Sequence, residues 1–283
     1  MDLYDAILTR RSVRRYQNVP LEKGVLAQLD EIIAGVVPLV PQNRFRVMRR
    51  DVVSGEDLIA AMGGYGRVLS PPHYLVASAM GDSHLLSDLG FRMEQIALRL
   101  VQIGVSTCFI GSLGRESHVR TRFRLLRDAR TGAFLIFGYP AETLTGRTLN
   151  AAIRRAAGAT NKLPLESLFY SSTFEHGVAP PRELAKLIEA GRLAPTANSA
   201  QPWRFLWHGG QLYLFLRRDN PRYGNKEQVK DYRFFDGGTC MANISMAMDA
   251  LQIGGAWTLL HGVEPGIPAH PTDLQPLAKL SFY

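Results

Sequence analysis

The chain of 283 residues contains two stretches that match each other without a gap. Residues 101–110, Val-Gln-Ile-Gly-Val-Ser-Thr-Cys-Phe-Ile, lie over residues 251–260, Leu-Gln-Ile-Gly-Gly-Ala-Trp-Thr-Leu-Leu, at an offset of 150. Both follow an amphipathic pattern: Met93, Ile96, Ala97 and Leu100 share one face before Gly104, and Met241, Ile244, Met248 and Leu251 share one before Gly254. That spacing predicts two long helices, each closed by a glycine C-cap and followed by an apolar strand. A second pair agrees in order. Ile33-Ala34-Gly35-Val36-Val37-Pro38 resembles Glu189-Ala190-Gly191-Arg192-Leu193-Ala194-Pro195, each closing a helix, and upstream Ser12–Pro20 lies over Ser172–Pro180. Three matches in the same order predict a duplicated chain, with residues 1–150 as one half, 164–283 as the other, and 151–163 as a connector rich in Ala, Thr and Arg.

Strand-like runs fall at Arg44–Arg49, Tyr74–Met80 and Ala133–Tyr139 in the first half. In the second they fall at Phe205–Trp207, Leu212–Arg217, Trp257–Leu260 and Leu277–Tyr283. Helices and strands mix without strict βαβ alternation, which predicts an α+β sheet covered by helices in each half. Dinucleotide-binding and P-loop fingerprints are absent, and Gly63-Gly64-Tyr65-Gly66 alone is a weak phosphate loop. Hydrophobic residues at 46% are enough for a core. The longest apolar run, Gly132–Ala141, is far short of the roughly 18 residues that span a bilayer, so a cytoplasmic protein without a membrane partner is expected. Cys108 and Cys240 sit in apolar contexts and read as buried thiols. The seven histidines show no metal-ligand spacing, so no metal is expected and His73, His208 and His261 read as structural or exposed. Met241, Met246 and Met248 read as core.

The balance of 33 Lys+Arg against 25 Asp+Glu leaves a net charge of +8. Six arginines fall between Arg115 and Arg130, where Val119, Phe123 and Leu126 set an amphipathic helix with a solvated basic face. No helix-turn-helix, zinc-finger or aromatic-interleaved pattern accompanies it, which leaves nucleic-acid binding through that face as an alternative of low weight.

The two halves differ where chemistry is expected. Near the start stands Arg10-Arg11-Ser12-Val13-Arg14-Arg15, four arginines around a hydroxyl; its counterpart, Tyr170-Ser171-Ser172-Thr173-Phe174-Glu175, has no cation. The second half has the polar loop Pro195-Thr196-Ala197-Asn198-Ser199-Ala200-Gln201-Pro202-Trp203, where the first has the shorter Pro38-Leu39-Val40-Pro41-Gln42-Asn43. Arginine presents a planar fork of donors suited to a phosphate, and an amide-bearing loop suits the edge of a flat ring.

Together with the late Gly138-Tyr139-Pro140-Ala141-Glu142, these segments resemble the FMN-dependent nitroreductase family, in particular its duplicated, single-chain branch, similar to a nitroreductase group of thermophiles. The resemblance covers nearly the whole chain. It implies a nitroreductase-like α/β sandwich in which two tandem halves, each with a mainly antiparallel sheet flanked by helices, form an intramolecular pseudo-dimer without an obligatory protein partner. It implies FMN as cofactor, NAD(P)H as electron donor and a small nitroaromatic or quinone-like electron acceptor, by ping-pong hydride transfer.

By the same resemblance, Arg10, Arg11 and Ser12 hold the FMN phosphate, with Arg147 as a late basic ligand. Arg14 stabilises reduced flavin at N1, and Pro195, Thr196, Ala197, Asn198, Ser199 and Gln201 border the ring. Phe109, Ile110, Gly111 and Ser112 follow the central helix with backbone N–H groups toward flavin N5; loop position alone, and not the resemblance, puts Arg67 or Tyr65 at the pyrimidine edge. The chemistry is carried by the cofactor, so no catalytic acid or base is required. One intact copy of each motif, on opposite halves, implies one FMN site per chain. A non-catalytic flavin-binding or redox-sensing protein remains the alternative.

Overall fold

A computed structural model describes residues 1–52, 54–142, 144–156, 162–262 and 264–283. In the first half, α1 (Leu3–Thr9) and α2 (Lys23–Ala34) precede β1 (Arg44–Asp51), α3 (Gly55–Met62), β2 (His73–Met80), the long α4 (Leu85–Gln102), β3 (Ser106–Gly111), α5 (Glu116–Phe123), β4 (Ala133–Gly138) and α6 (Leu144–Ala156). The second half runs β5 (Phe169–Ser171), α7 (Arg182–Leu193), β6 (Trp203–His208), β7 (Gln211–Arg217), α8 (Glu227–Lys230), the long α9 (Tyr232–Leu251), β8 (Gly255–Leu259) and β9 (Leu274–Phe282). The first sheet has the order β1-β2-β4-β3, and the second repeats it as β6-β7-β9-β8 with β5 added outside β6. All pairs are antiparallel except β5 with β6. The expected α+β architecture is present, and each expected strand lies within a strand of the structure or overlaps one.

The sequence explains the order within each sheet. Strands β2 and β4 are buried along nearly their whole length, so they read as unbroken apolar runs, His-Tyr-Leu-Val-Ala-Ser-Ala-Met and Ala-Phe-Leu-Ile-Phe-Gly. The edge strand β1 turns Arg44 and Arg46 to solvent between half-buried Phe45 and Val47, charges that discourage pairing with another chain.

The halves meet where α4 crosses α9, and glycine makes the crossing possible. A Cβ on Gly90 would lie 2.1 Å from the Phe235 carbonyl oxygen and 3.2 Å from the Thr239 nitrogen; one on Gly238 would lie 2.0 Å from the Ser87 oxygen and 2.9 Å from the Phe91 nitrogen. Residue 90 answers to 238, 87 to 235 and 91 to 239, an offset of 148 at each position. The same offset holds at the helix ends. Val105 N–H donates to Leu100 O and Ile253 N–H to Met248 O, both at 2.9 Å, beyond left-handed Gly104 (φ +87°) and Gln252 (φ +57°). The residue equivalent to Gly104 is therefore Gln252. Gly254 begins the approach to β8, where a Cβ would meet the Tyr283 carbonyl at 2.6 Å. The 150-residue register of the sequence match is thus correct for apolar composition and two residues out for the backbone.

Each half completes the core of the other. Ile7, Phe91 and Leu98 pack with Leu187, Trp203, Phe205 and Met241, while Phe235 packs with Leu89, Met93 and Leu135. The methionines of α9 are buried core and both cysteines are buried, as expected. Two expectations are corrected. Ser12 bridges Thr107 at the β3 edge of the first sheet, whereas Tyr170 and Ser171 pair with β6 at the opposite edge of the second, so the Ser12–Pro20 and Ser172–Pro180 segments are not equivalent. The basic helix ends at Phe123, because Arg124 turns left-handed (φ +51°), and Leu126 is 61% exposed. Helix α6 spans Leu144–Ala156 and so crosses residue 150.

The crossing supplies a test. Alanine normally favours a helix over glycine by about 1 kcal/mol. Gly238→Ala is nevertheless expected to destabilise by about 1–3 kcal/mol, because the methyl has nowhere to go between two backbones. Gly24→Ala on α2, with no atom within 4 Å of its Cβ position, is the matched control and is expected to be neutral or stabilising. Thermal denaturation followed by circular dichroism reads both.

Candidate functional site

A cavity of about 930 Å³ lies between the halves. The first half contributes Arg10, Arg11, Ser12 and Arg14, the strand end Phe109-Ile110-Gly111, and Met62, Tyr65, Val68 and Arg115; the connector contributes Lys162, and the second half Arg192, Pro195–Ser199, Tyr223, Lys226, Tyr232, Phe235 and Asp236. The volume falls in the range of small-molecule sites, about 300–1,000 Å³.

Backbone contacts fix the arginine segment in place. Val13 N–H donates to Thr107 O at 3.1 Å, extending the β3 edge by one bridge. From α6, Asn150 Oδ1 accepts from both Arg14 N–H and Arg15 N–H at 3.0 Å, and its Nδ2 donates to Arg15 O at 3.1 Å. The Arg10 side chain is buried between the halves with Nε 3.6 Å from Oε1 of Glu94, a fully buried residue of α4.

The opposite wall, Pro195–Gln201, is held in an unusual conformation. Asn198, Ser199 and Gln201 all have left-handed φ (+50°, +56° and +45°), a region that non-glycine residues seldom occupy. Asp236 of α9 holds this turn, accepting from Ala197 N–H at 3.1–3.2 Å and from the Tyr223 hydroxyl at 2.8 Å. Thr239 Oγ1 donates to Pro195 O at 2.9 Å, and Asn220 Nδ2 donates to Ala200 O at 2.9 Å.

Twelve of the fifteen residues singled out by sequence border this cavity, and three do not. Gln201 is buried and accepts Leu163 N–H at 3.0 Å, tying the end of the connector to the wall from behind. Ser112 is buried beyond the strand end, its N–H donating to Gly132 O and its hydroxyl 3.0 Å from that of Thr131. Arg147 is exposed on α6, which reaches the arginine segment through Asn150 instead. Tyr65 borders the cavity and Arg67 does not. Asn198 lines it, though its amide Nδ2 donates to Arg222 O at 2.9 Å.

Sequence reading missed Lys162, Glu94, Asp236, Tyr223 and Tyr232. The one usable signal was a charge in an apolar helix, Glu94 among Met93, Ile96 and Ala97, and Asp236 between Phe235 and Gly237. The arginines near α5 are mostly engaged within the fold: Arg115 borders the cavity, Arg120 donates to Ala129 O, Arg122 stands 3.8 Å from Asp57, and Arg130 pairs with Glu116 and Asp231.

Seven cationic side chains and one carboxylate border the cavity among the described residues. Burial shifts several groups within or behind it, three of them acids or bases brought near neutrality. It pushes the Glu94 carboxyl up to about 7, with Arg10 and Lys162 pulling the other way. It pushes Asp236 up to about 8 against the hydrogen bonds from Tyr223 and Ala197. It holds Lys162 down to about 7, helped by the charges of Arg10 and Arg192. Lys162 Nζ donates to Ala194 O at 2.6 Å, so this ammonium supports the start of the Pro195 wall.

The 148-residue offset relates Asp236 to Asp88, and the two are treated differently. Asp88 accepts from Leu39 N–H (2.8 Å) and Val40 N–H (3.1 Å), as Asp236 accepts from Ala197. Arg92, one turn on, then binds both Asp88 oxygens at 3.1 Å and donates to Val40 O and Asn43 O. The residue answering to Arg92 is Cys240. The Pro38–Asn43 turn is thereby filled by a neutralising side chain, and the Pro195–Gln201 turn faces a cavity.

A two-layered pair of like-ordered sheets around crossed helices, with a cationic cavity between the halves, is the nitroreductase fold. The chain belongs to the family described as "Putative TM nitroreductase", whose family model matches residues 2–228. A crystal structure of a Thermotoga maritima protein described as a putative nitroreductase is similar over 99% of this chain and 93% of its own, at 19% identity and a TM-score of 0.61. An FMN-dependent nitroreductase from Clostridium difficile matches 49% of this chain and 87% of its own (19% identity, TM-score 0.42). An NADPH:FMN oxidoreductase from Vibrio harveyi complexed with NAD+ matches 50% and 69% (17% identity, TM-score 0.43). No curated protein matches. Among the described residues no helix is long and apolar enough to cross a membrane.

The Glu94 carboxyl sets a pH test. Its proton is held in the folded chain up to about pH 7 but leaves the unfolded chain near 4.5, so native stability falls as pH climbs through that interval. Glu94→Gln cannot titrate, and its melting temperature is expected to gain on the wild type between pH 5 and pH 8. A gap unchanged with pH would mean that Arg10 keeps Glu94 ionised throughout.

Proposed function

We propose that the cavity binds FMN and that the chain is an FMN-dependent oxidoreductase of nitroreductase type, passing electrons from NAD(P)H to a nitroaromatic or quinone-like acceptor. The observation that carries this reading is the meeting, in one cavity, of the Arg10–Arg14 segment from one half and the Pro195–Ser199 wall from the other. The residues present fit the cofactor. Arg14 Nη1 and Thr196 Oγ1 are buried without a hydrogen-bond partner among the described residues, and groups of this kind are costly unless a ligand completes them. The surplus of cations suits a phosphate carrying close to two negative charges.

In this assignment Arg10, Arg11 and Ser12 hold the phosphate, each charge-assisted bond contributing about 1.5–3 kcal/mol. Arg14 stabilises negative charge at the pyrimidine side, and Phe109, Ile110 and Gly111 close one edge. Pro195, Thr196, Ala197, Asn198 and Ser199 form the wall that shields the ring from water. Asp236, with Tyr223, positions that wall through Ala197. When bound, FMN supplies the group that accepts and returns a hydride, so the chain itself needs to bind, orient and exclude water. Donor and acceptor would use the same open side in turn, which gives ping-pong kinetics. One site per chain is supported by the filling of the Pro38–Asn43 turn by Arg92. We take the two halves as products of a tandem duplication, residues 1–150 and 164–283, so that the chain supplies both walls without a second subunit.

The purified protein is expected to be yellow, with one FMN per chain by absorbance. Arg10→Ala or Arg14→Ala should weaken flavin retention by about 10–100-fold, the loss of one charge-assisted contact, while Arg124→Ala, outside the cavity, should retain it. Equal losses would count against the assignment. Steady oxidation of NAD(P)H with a quinone or nitroaromatic separates an enzyme from a flavin-binding protein.

A further inference from the structure

Beside the main cavity lies an open groove of about 510 Å³, lined by Met62, Gly63, Gly64, Tyr65, Val68 and Arg115. Four of these, Met62, Tyr65, Val68 and Arg115, also border the main cavity, so the groove is its outer mouth. Two large apolar side chains stand exposed here, Tyr65 at 59% and Val68 at 45%. An exposed ring beside a cavity is a platform for a flat ligand.

The charges at this mouth are out of balance. Arg115 lies against Gly63, where a Cβ would come 2.3 Å from its Nη1, and that turn has a left-handed φ of +63°. Nη1 is buried and has no hydrogen-bond partner among the described residues. Lys226, from the second half, precedes α8, whose Val229 side chain would be 3.4 Å from a Cβ on Gly114. The acids that flank these cations in sequence are already engaged. Glu116 accepts from Arg130 Nε at 3.0 Å and from Thr131 N–H at 2.7 Å. Asp231 is 3.7 Å from Arg130, and Glu227 is 3.2 Å from Lys230. Neither Arg115 nor Lys226 has an ion-pair partner among the described residues. Two of the deeper cations differ: Arg10 faces Glu94, and Arg192 holds Glu189 at 2.6 Å.

We propose that this mouth is a subsite for the 2′-phosphorylated adenosine of NADPH, with Tyr65 presenting its ring to the adenine and Arg115 and Lys226, one from each half, holding the phosphate monoester. The proposal rests on the flavoenzyme reading above and selects between the two nicotinamide donors. NADH lacks the 2′-phosphate monoester, so it offers Arg115 and Lys226 one anionic group fewer than NADPH does. A site built around a charge in this way discriminates more strongly than one built on apolar fit.

The test is calorimetric titration of the flavin-loaded protein with 2′,5′-ADP, 5′-AMP and phenyl phosphate. We expect 2′,5′-ADP to bind at least about 10-fold more tightly than either of the others, since one charge-assisted contact is of that size or larger. Arg115→Met and the surface variant Lys226→Met should each lower 2′,5′-ADP affinity by about 10-fold and leave 5′-AMP unchanged, and Tyr65→Ala should weaken both adenosines alike. In steady state, Arg115→Met should lower kcat/KM for NADPH and not for NADH. Equal affinity for 2′,5′-ADP and 5′-AMP overturns the proposal, as does an equal loss of both in Arg115→Met and Lys226→Met. Phenyl phosphate binding as tightly as 2′,5′-ADP also overturns it and reassigns the mouth to an anionic acceptor. Flavin content is read for every variant. Full flavin without adenosine 2′-phosphate preference defeats the subsite alone, whereas a protein that never binds flavin defeats the reading on which it rests.

Discussion

The backbone contact of α4 with α9 is the constraint on which the rest of the structure depends. Gly90 and Gly238 let two buried helices approach until carbonyl oxygens occupy the space of absent side chains. That close approach brings Phe91 and Leu98 into one core and Phe235 into the other. It also sets Glu94 and Asp236 between the halves, where burial works against their charges. The cavity exists because this crossing holds the β3 edge of one sheet opposite the Pro195 wall that precedes the other.

Near-symmetry makes the remaining asymmetry informative. Asp88 and Asp236 occupy related places and grip related turns, but Arg92 satisfies the first and Cys240 offers nothing comparable to the second. A buried carboxylate with an adjacent guanidinium is a structural joint. One braced by a tyrosine hydroxyl and a backbone N–H, with a buried lysine nearby, remains a polar surface that a ligand can meet. The difference between a closed turn and an open site is therefore traceable to one side chain on each long helix.

Much of this was legible in the residues. Apolar runs marked the central strands because β2 and β4 are buried on both faces, and the amphipathic faces of Met93–Leu100 and Met241–Met248 marked the crossing helices. The arginine segment and the Pro195 loop stood out because local chemistry there differs between halves. What escaped was set by tertiary geometry. The two-residue error in register arose because Gly254 looked like a cap, whereas Gln252 tolerates the left-handed position that Gly104 occupies. Lys162 lay in a stretch that read as a connector, and only the folded chain brings it to the cavity wall, where it donates to Ala194 O. Arg147 and Asn150 share a helix, and no pattern told which one turns toward Arg14.

Carrying both walls on a single polypeptide has a further effect. In an assembly of separate subunits, dilution would part the surfaces that enclose the site, and occupancy would track protein concentration. Here the tether replaces bimolecular encounter with an internal one of fixed effective concentration. Bringing these two walls together is consequently a folding event of one chain, independent of how many copies surround it.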